Sequence, residues 1–105
     1  MQEVEFQVPG GCDLRNAEEL IEHVCAAHGL RPAMKTTLAS YPGSVHWHYK
    51  RGKEKGTLEL TVAPGSRRIW AQVHTNRGGA WIAEVLPRVR QEIQQGLTRF
   101  LGRLQ

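Results

Sequence analysis

Apolar and polar residues alternate along several short segments of the chain, and a period of two is typical of a strand with one buried face. The alternation is clear at residues 3–8, 45–50, 57–62 and 68–74, and it is weaker at residues 33–39. Pro-Gly turns and a short basic loop separate the later segments. Because short connections favour antiparallel neighbours, we predict five strands in an antiparallel arrangement.

Two other segments keep the spacing of an amphipathic helix. Within residues 14–28 the apolar positions fall on one third of the helical wheel, and Asp13 or Asn16 can cap this helix. Residues 82–104 keep helical spacing over about six turns. Gly96 falls on the apolar face of the second helix, which predicts a close approach to a neighbouring element.

The elements follow the order strand, helix, four strands and long helix. Because each strand has one apolar face, we predict a single α+β domain over residues 1–105, with two helices covering one face of an antiparallel sheet. The predicted covered face carries Trp47, Tyr49, Leu58, Leu60, Ile69 and Val73. The β-α-β-β-β-β-α order resembles the fold of the TATA-box-binding protein and its relatives. That resemblance implies an architecture only, since such relatives bind DNA, lipids or no known ligand.

The polar face of the sheet is the first candidate site. Matching the apolar faces across the turns predicts the rows His46–Thr61–Trp70, His48–Glu59–Gln72 and Lys50–Thr57–His74. The predicted ligand-binding residues are His46, His48, Glu59, Trp70, Gln72 and His74. A large aromatic residue on an open polar face is typical of interfaces. We therefore predict a face that binds a ligand or a partner chain, and a covering loop is the alternative.

His46 and His48 share one strand face, a spacing that several metal sites use. Cupins combine such a pair with a later Glu and a third His, but the spacing to Glu54 or Glu59 differs here, and a long helix has no place in a cupin core. His74 lies two strands away at ~4.8 Å per strand, too far to join His46 through zinc bonds of ~2.0 Å. A site of the two histidines completed by Glu59 stays open, while the expectation is no metal and no cofactor.

Charge is distributed unevenly along the chain, whose net charge is +4. Residues 1–30 carry six acids and one base, a net of −5, and residues 31–105 carry thirteen bases and four acids, a net of +9. Such asymmetry indicates a surface for anions, two patches that meet in a dimer, or an acidic helix that lies near basic strands of the same molecule.

One end of the predicted sheet collects basic residues. The start of the second strand, the loop after the third and the end of the fifth meet there, beside the N-terminus of the long helix. The predicted anion-binding residues are Lys50, Arg51, Lys53, Lys55, Arg77, Gly78 and Gly79, offset by Glu54. We interpret this basic end of the sheet either as an anion-binding site or as a loop whose charges are simply solvated.

Catalytic signatures are missing from the sequence. Cys12 and Cys25 form no paired motif, so both are predicted to be reduced, with Cys12 exposed in a turn and Cys25 packed in a helix. The chain has no Ser-His-Asp signature, P-loop or dinucleotide fingerprint. We therefore assign no catalytic residue.

The favoured function is a non-catalytic binding module for an anionic small molecule or a protein partner, with a homodimer as an open alternative. Nucleic-acid binding through stacking on Trp70 or His46 is a second hypothesis, although the aromatic content is only 7%. A small enzyme with a His48/Glu59 acid–base pair is a third. The chain lacks an apolar run of ~18 residues and starts with acidic residues, so we expect a cytoplasmic protein without a membrane partner.

Overall fold

The computed structural model describes residues 2–74 and 79–101. Its strands are β1 (Gln2–Glu5), β2 (Arg31–Thr36), β3 (Val45–Lys50), β4 (Leu58–Ala63) and β5 (Arg68–Val73). Its helices are α1 (Ala17–Ala27), which follows a 3-10 turn at Leu14–Asn16, and α2 (Ala80–Gly96), which continues as a π-helical turn at Leu97–Leu101. The predicted α+β class and order of elements are confirmed.

The strands form one antiparallel sheet in the order β1-β5-β4-β3-β2. Two of the predicted rows are present in the register, His46–Thr61–Trp70 and His48–Glu59–Gln72. A slip of one residue would turn every apolar side chain of a strand to the opposite face, so burial of that face holds the register.

The two helices cover the apolar face of this sheet. The sheet side chains Trp47, Tyr49, Leu58, Leu60 and Ile69 are buried there, and Val73 is half-buried against them. Ile21 of α1 and Val89 and Ile93 of α2 complete the same core. The predicted covered face is therefore confirmed, and the polar face is left to loops and solvent.

Gly96 marks the close approach of the two helices that its position on the apolar face predicted. A Cβ atom at Gly96 would lie 2.6 Å from Cδ1 of Leu20 in α1. The missing side chain therefore lets the end of α2 pack against α1, at a helix-propensity cost of about 1 kcal/mol.

Two strands, β1 and β2, differ by more than one residue from the boundaries that the alternation predicted, whereas β3, β4 and β5 agree to within one residue. β1 ends at Glu5 instead of residue 8, because the backbone N–H of Gln7 donates to the Gln94 side chain of α2 at 2.8 Å. β2 starts and ends earlier than the predicted 33–39, and its pairing with β3 contains a bulge between Pro32 and Met34.

The second helix is shorter than its apolar spacing predicted. Its α-helical part ends at Gly96, the backbone continues as a π-helical turn, and residues 102–105 lie outside the described residues. Across the parts of the chain that the structure describes, neither helix has the length and apolar character needed to cross a bilayer.

Both cysteines are free, as predicted, and both are buried. The prediction that Cys12 is exposed is wrong, because the Arg67 guanidinium donates to the carbonyl oxygens of Cys12 at 2.9 Å and Pro9 at 3.0 Å and closes this turn. Burial raises the pKa of the Cys12 thiol and raises the pKa of Cys25 to about 12. Neither thiol is activated as a nucleophile.

Acids near the N-terminus form ion pairs within the molecule. Glu22 of α1 lies 2.8 Å from Nζ of Lys35 in β2. Glu3 and Glu5 of β1 lie 3.2 and 2.8 Å from the Arg68 guanidinium in β5. At these residues the charge asymmetry therefore reflects acidic and basic segments that lie together within one molecule.

Candidate functional site

A loop covers one end of the polar face. Residues 37–44 connect β2 to β3 and place Tyr41 against Trp70, with ring centroids 5.1 Å apart. The Arg68 guanidinium lies 4.2 Å from the centre of the Trp70 ring and donates to the Tyr41 hydroxyl at 3.1 Å. Trp70 is only 3% exposed, so its prediction as an exposed binding residue is wrong and the covering-loop alternative holds at this end.

His46 belongs to the same row as Trp70 and is also buried, at 5% exposure, although it was predicted on an open face. Its Nδ1 atom lies 2.7 Å from Oγ1 of Thr61, which is buried beside it. Burial lowers the pKa of His46 below its usual value near 6.5, so the imidazole is neutral at pH 7.

The other end of the face holds a cluster of imidazoles around Glu59. His74 Nε2 lies 2.7 Å from Oε2 of Glu59. The other carboxylate oxygen, Oε1, lies 3.5 Å from His46 Nε2 and 3.6 Å from His48 Nε2. The two Nε2 atoms are 3.1 Å apart. Four of the predicted ligand-binding residues therefore meet at one point, which we call the Glu59 cluster (His46, His48, Glu59 and His74).

The two remaining residues of that predicted set lie outside the cluster. Trp70 is covered, as described above, and Gln72 stands opposite Glu59 across β4 and β5 and is half-buried. Gln72 therefore flanks the cluster, whose side-chain hydrogen bonds among the described residues do not include it.

A pocket of about 270 Å³ opens on the Glu59 cluster. Its walls are His48, Lys50, Gly56, Thr57, Glu59 and His74. Lys50 Nζ donates to the carbonyl oxygen of Gly56 at 2.7 Å and to Oγ1 of Thr57 at 3.2 Å. The three residues of the third predicted row, Lys50, Thr57 and His74, all line this pocket, although they lie outside the residues paired between β3 and β4 and between β4 and β5. Lys50, predicted with the anion-binding residues, lies with the cluster.

The loop between β3 and β4 carries much of the predicted basic end. Arg51 forms an ion pair with Glu54 at 2.6 Å, and its guanidinium lies 5.6 Å from the centre of the Trp81 ring. The Trp81 indole N–H donates to the carbonyl oxygen of Lys55 at 2.8 Å. Arg51 is therefore engaged in holding the loop to α2, whereas the side chain of Lys55 is exposed.

Gly79 is the N-cap of α2, with a φ of 93°. A Cβ atom there would lie 3.2 Å from the Lys55 carbonyl oxygen, so Gly79 allows the loop and the helix to meet. Lys53 is exposed, while Arg77 and Gly78 lie outside the described residues. The anion site predicted from this whole set stays a prediction.

Sequence reasoning missed Tyr41 and Arg68, which cover Trp70. Arg68 has the same parity on β5 as Trp70 and Gln72, so the alternation already placed it on the polar face. No local pattern indicates where the loop of Tyr41 folds, because that contact joins residues far apart in the chain.

Comparisons of the chain with models of protein families, with curated proteins and with solved structures found no match. The resemblance to the TATA-box-binding protein fold therefore rests on the order of elements.

Proposed function

We propose that the protein is a non-catalytic binding module that holds a small anionic molecule in the pocket beside the Glu59 cluster. The observation that carries this proposal is Lys50, a half-buried residue in the pocket wall that brings an ammonium group to the site. An ammonium group has three N–H donors. Within the described ranges Gly56 and Thr57 accept two of them, so the third is available to a carboxylate or phosphate oxygen.

The size of the pocket favours a small ligand. Its volume of about 270 Å³ lies below the ~300–1,000 Å³ typical of pockets for drug-sized molecules. The side chains of His48 and His74 are 33% and 25% exposed, so they offer polar contacts without closing the entrance. A small carboxylate or a phosphate-bearing molecule matches these dimensions and this chemistry.

Two of the alternatives have less support. Base stacking needs an accessible aromatic surface, whereas Trp70 and His46 are 3% and 5% exposed. For a His48/Glu59 acid–base pair, His48 Nε2 and Glu59 Oε1 lie 3.6 Å apart, beyond hydrogen-bond distance, so neither group orients the other. His74 is the histidine that lies within hydrogen-bond distance of Glu59.

A protein partner or a second copy would most simply pair with the edge strand β2. All six residues of β2 are exposed, including Met34 at 41%. However, β2 contains Pro32, a bulge and Lys35, which are features that disfavour pairing of an edge strand with another chain. The pocket is therefore the better supported binding surface.

A titration followed by NMR tests the proposal. The ¹⁵N-labelled full chain is titrated with phosphate and with acetate at constant ionic strength, in the presence of EDTA. We expect saturable shifts of the Lys50, Gly56 and Thr57 amides, and at least ~tenfold weaker binding in Lys50→Gln, because a charge-assisted hydrogen bond is lost. Arg88→Gln, a matched loss of one exposed charge on α2, is expected to bind within about twofold of the wild type.

Equal weakening in the two variants would overturn the proposal, because it would indicate binding by net charge alone. Shifts confined to residues 51–55 and Gly79 would also overturn it, in favour of the basic end of the sheet as the anion site.

A further inference from the structure

Three atoms of the Glu59 cluster face one another at distances that suit a bound cation. The His46 and His48 Nε2 atoms are 3.1 Å apart, and Oε1 of Glu59 lies 3.5 and 3.6 Å from them. A tetrahedral zinc ion with bonds of ~2.0–2.1 Å holds its ligand atoms about 3.3–3.4 Å apart. We propose that His46, His48 and Glu59 bind a divalent transition-metal ion of the zinc class.

The surroundings of His46 suit a metal ligand. With its proton on Nδ1, His46 donates to Thr61 Oγ1 at 2.7 Å. The lone pair of Nε2 is then free to bind a metal ion in the space between the three ligand atoms. Histidine ligands of metal ions usually donate their second ring N–H to such an outer partner, which fixes the tautomer. Because His46 is 5% exposed, this nitrogen has little access to bulk water as an alternative partner.

His74 has the corresponding outer role for Glu59. Its Nε2 lies 2.7 Å from Oε2, the carboxylate oxygen that faces away from the His46 and His48 contacts. A hydrogen bond to one oxygen holds the carboxylate with the other oxygen, Oε1, directed at the two histidines. His74 is therefore a positioning residue for the metal site and not a ligand.

The donor set decides the class of metal ion. Two imidazoles and one carboxylate are the protein ligands of open zinc sites, whereas calcium and magnesium prefer sites made of oxygen atoms. Three protein ligands leave a coordination position for water. Because His48 and Glu59 line the pocket, an ion can enter from solvent, and the vacant position is available to the anion proposed above.

Calorimetric titration of the metal-free full chain with zinc chloride tests this inference. We expect one zinc ion per chain, and binding more than ~100-fold weaker in His48→Gln and in Glu59→Gln. We expect a smaller loss of ~10–100-fold in His74→Gln, as is typical of outer partners of metal ligands. His23→Gln is the control, because His23 is exposed on α1, over the opposite face of the sheet, and is expected to leave the affinity unchanged.

Circular dichroism shows whether each variant is folded, and His48 and Glu59 are chosen because neither belongs to the apolar core. The absence of zinc binding to the wild type would overturn the inference. So would an affinity that is unchanged in both ligand variants, or one that is lost in His23→Gln, because either result would mean adventitious binding to a surface histidine. The phosphate titration is carried out in EDTA and involves no metal. A failure to bind zinc would therefore not affect the proposed anion binding, which that titration tests separately.

Discussion

His74 and Glu59 are hydrogen-bonded between two neighbouring strands, with Nε2 of His74 2.7 Å from Oε2 of Glu59. In the register Glu59 stands opposite Gln72, so His74 is its diagonal neighbour on the same face. Diagonal neighbours lie ~7–8 Å apart, within reach of long and aromatic side chains. This contact gives the carboxylate of Glu59 a fixed orientation at the centre of the polar face.

Glu22 links α1 to the sheet through two contacts. Its Oε2 atom accepts from the indole N–H of buried Trp47 at 3.0 Å and lies 2.8 Å from Lys35 Nζ. Glu22→Gln keeps an acceptor for Trp47 but loses the charge, whereas Glu22→Ala leaves the indole N–H unsatisfied. We expect Glu22→Ala to lower the free energy of unfolding by ~1–2 kcal/mol more than Glu22→Gln, measured by urea denaturation. Equal losses would contradict the hydrogen bond to Trp47.

The same carboxylate predicts a pH dependence of stability. Hydrogen bonding to Lys35 is the largest cause that lowers the pKa of Glu22 below its usual value of 4.5. The unfolded chain therefore binds the proton more readily, so this stabilisation is present above pH ~4.5 and is lost as the pH falls through the lower folded-state pKa. The side chain is 37% exposed, which limits the effect to roughly 0.5–1 kcal/mol.

Unfolding free energies of the wild type and Glu22→Gln, measured from pH 7 to pH 3, test this dependence. The difference between the two proteins is expected to shrink toward pH 3. A difference that stays constant or grows would show that the charge of Glu22 does not contribute.

Tyr49 carries a buried hydroxyl group at the covered face of the sheet. Within residues 2–74 and 79–101 this hydroxyl has no hydrogen-bond partner, and the Cys25 thiol is a neighbouring group. A buried unpaired hydroxyl destabilises the folded state, so we expect Tyr49→Phe to keep or raise the free energy of unfolding, by up to about 1 kcal/mol. A loss above ~1 kcal/mol in a denaturant titration would mean instead that the hydroxyl is bonded, with the Cys25 thiol as its partner.

Gly96 and Leu20 are expected to be energetically coupled. In Gly96→Ala the new methyl group displaces Leu20, 2.6 Å away, and we expect a net loss of about 1 kcal/mol of stability. In a Leu20→Ala background the clash is absent, and the same substitution is expected to gain up to ~1 kcal/mol of helix propensity. A double-mutant cycle measures this change of sign, and additive effects would contradict the packing contact.

The covered face and the register were predictable because β3, β4 and β5 each have one apolar side. Once Trp47 and Leu60 face the helices, His48, Glu59 and Gln72 lie on the other side, because a slip of one residue would exchange the two faces. The short turns between the strands then select the register that places these three residues together.

The burial of Trp70 was not predictable in the same way. It depends on the loop of Tyr41 and on Arg68, whose contacts join distant parts of the chain and leave no periodic signal. The sequence leaves a site of His46, His48 and Glu59 open, since strand alternation and register bring these three residues to one face. The contact of His74 with Glu59 was not predictable, because it depends on a side-chain conformation.

A crystal structure grown with one equivalent of zinc, with anomalous differences measured at the zinc absorption edge, tests the Glu59 cluster most directly. The predicted result is one strong peak at ~2.0–2.1 Å from Nε2 of His46, Nε2 of His48 and Oε1 of Glu59. A map with no peak between these three atoms, or with a peak only at an exposed histidine such as His23, would contradict the metal site.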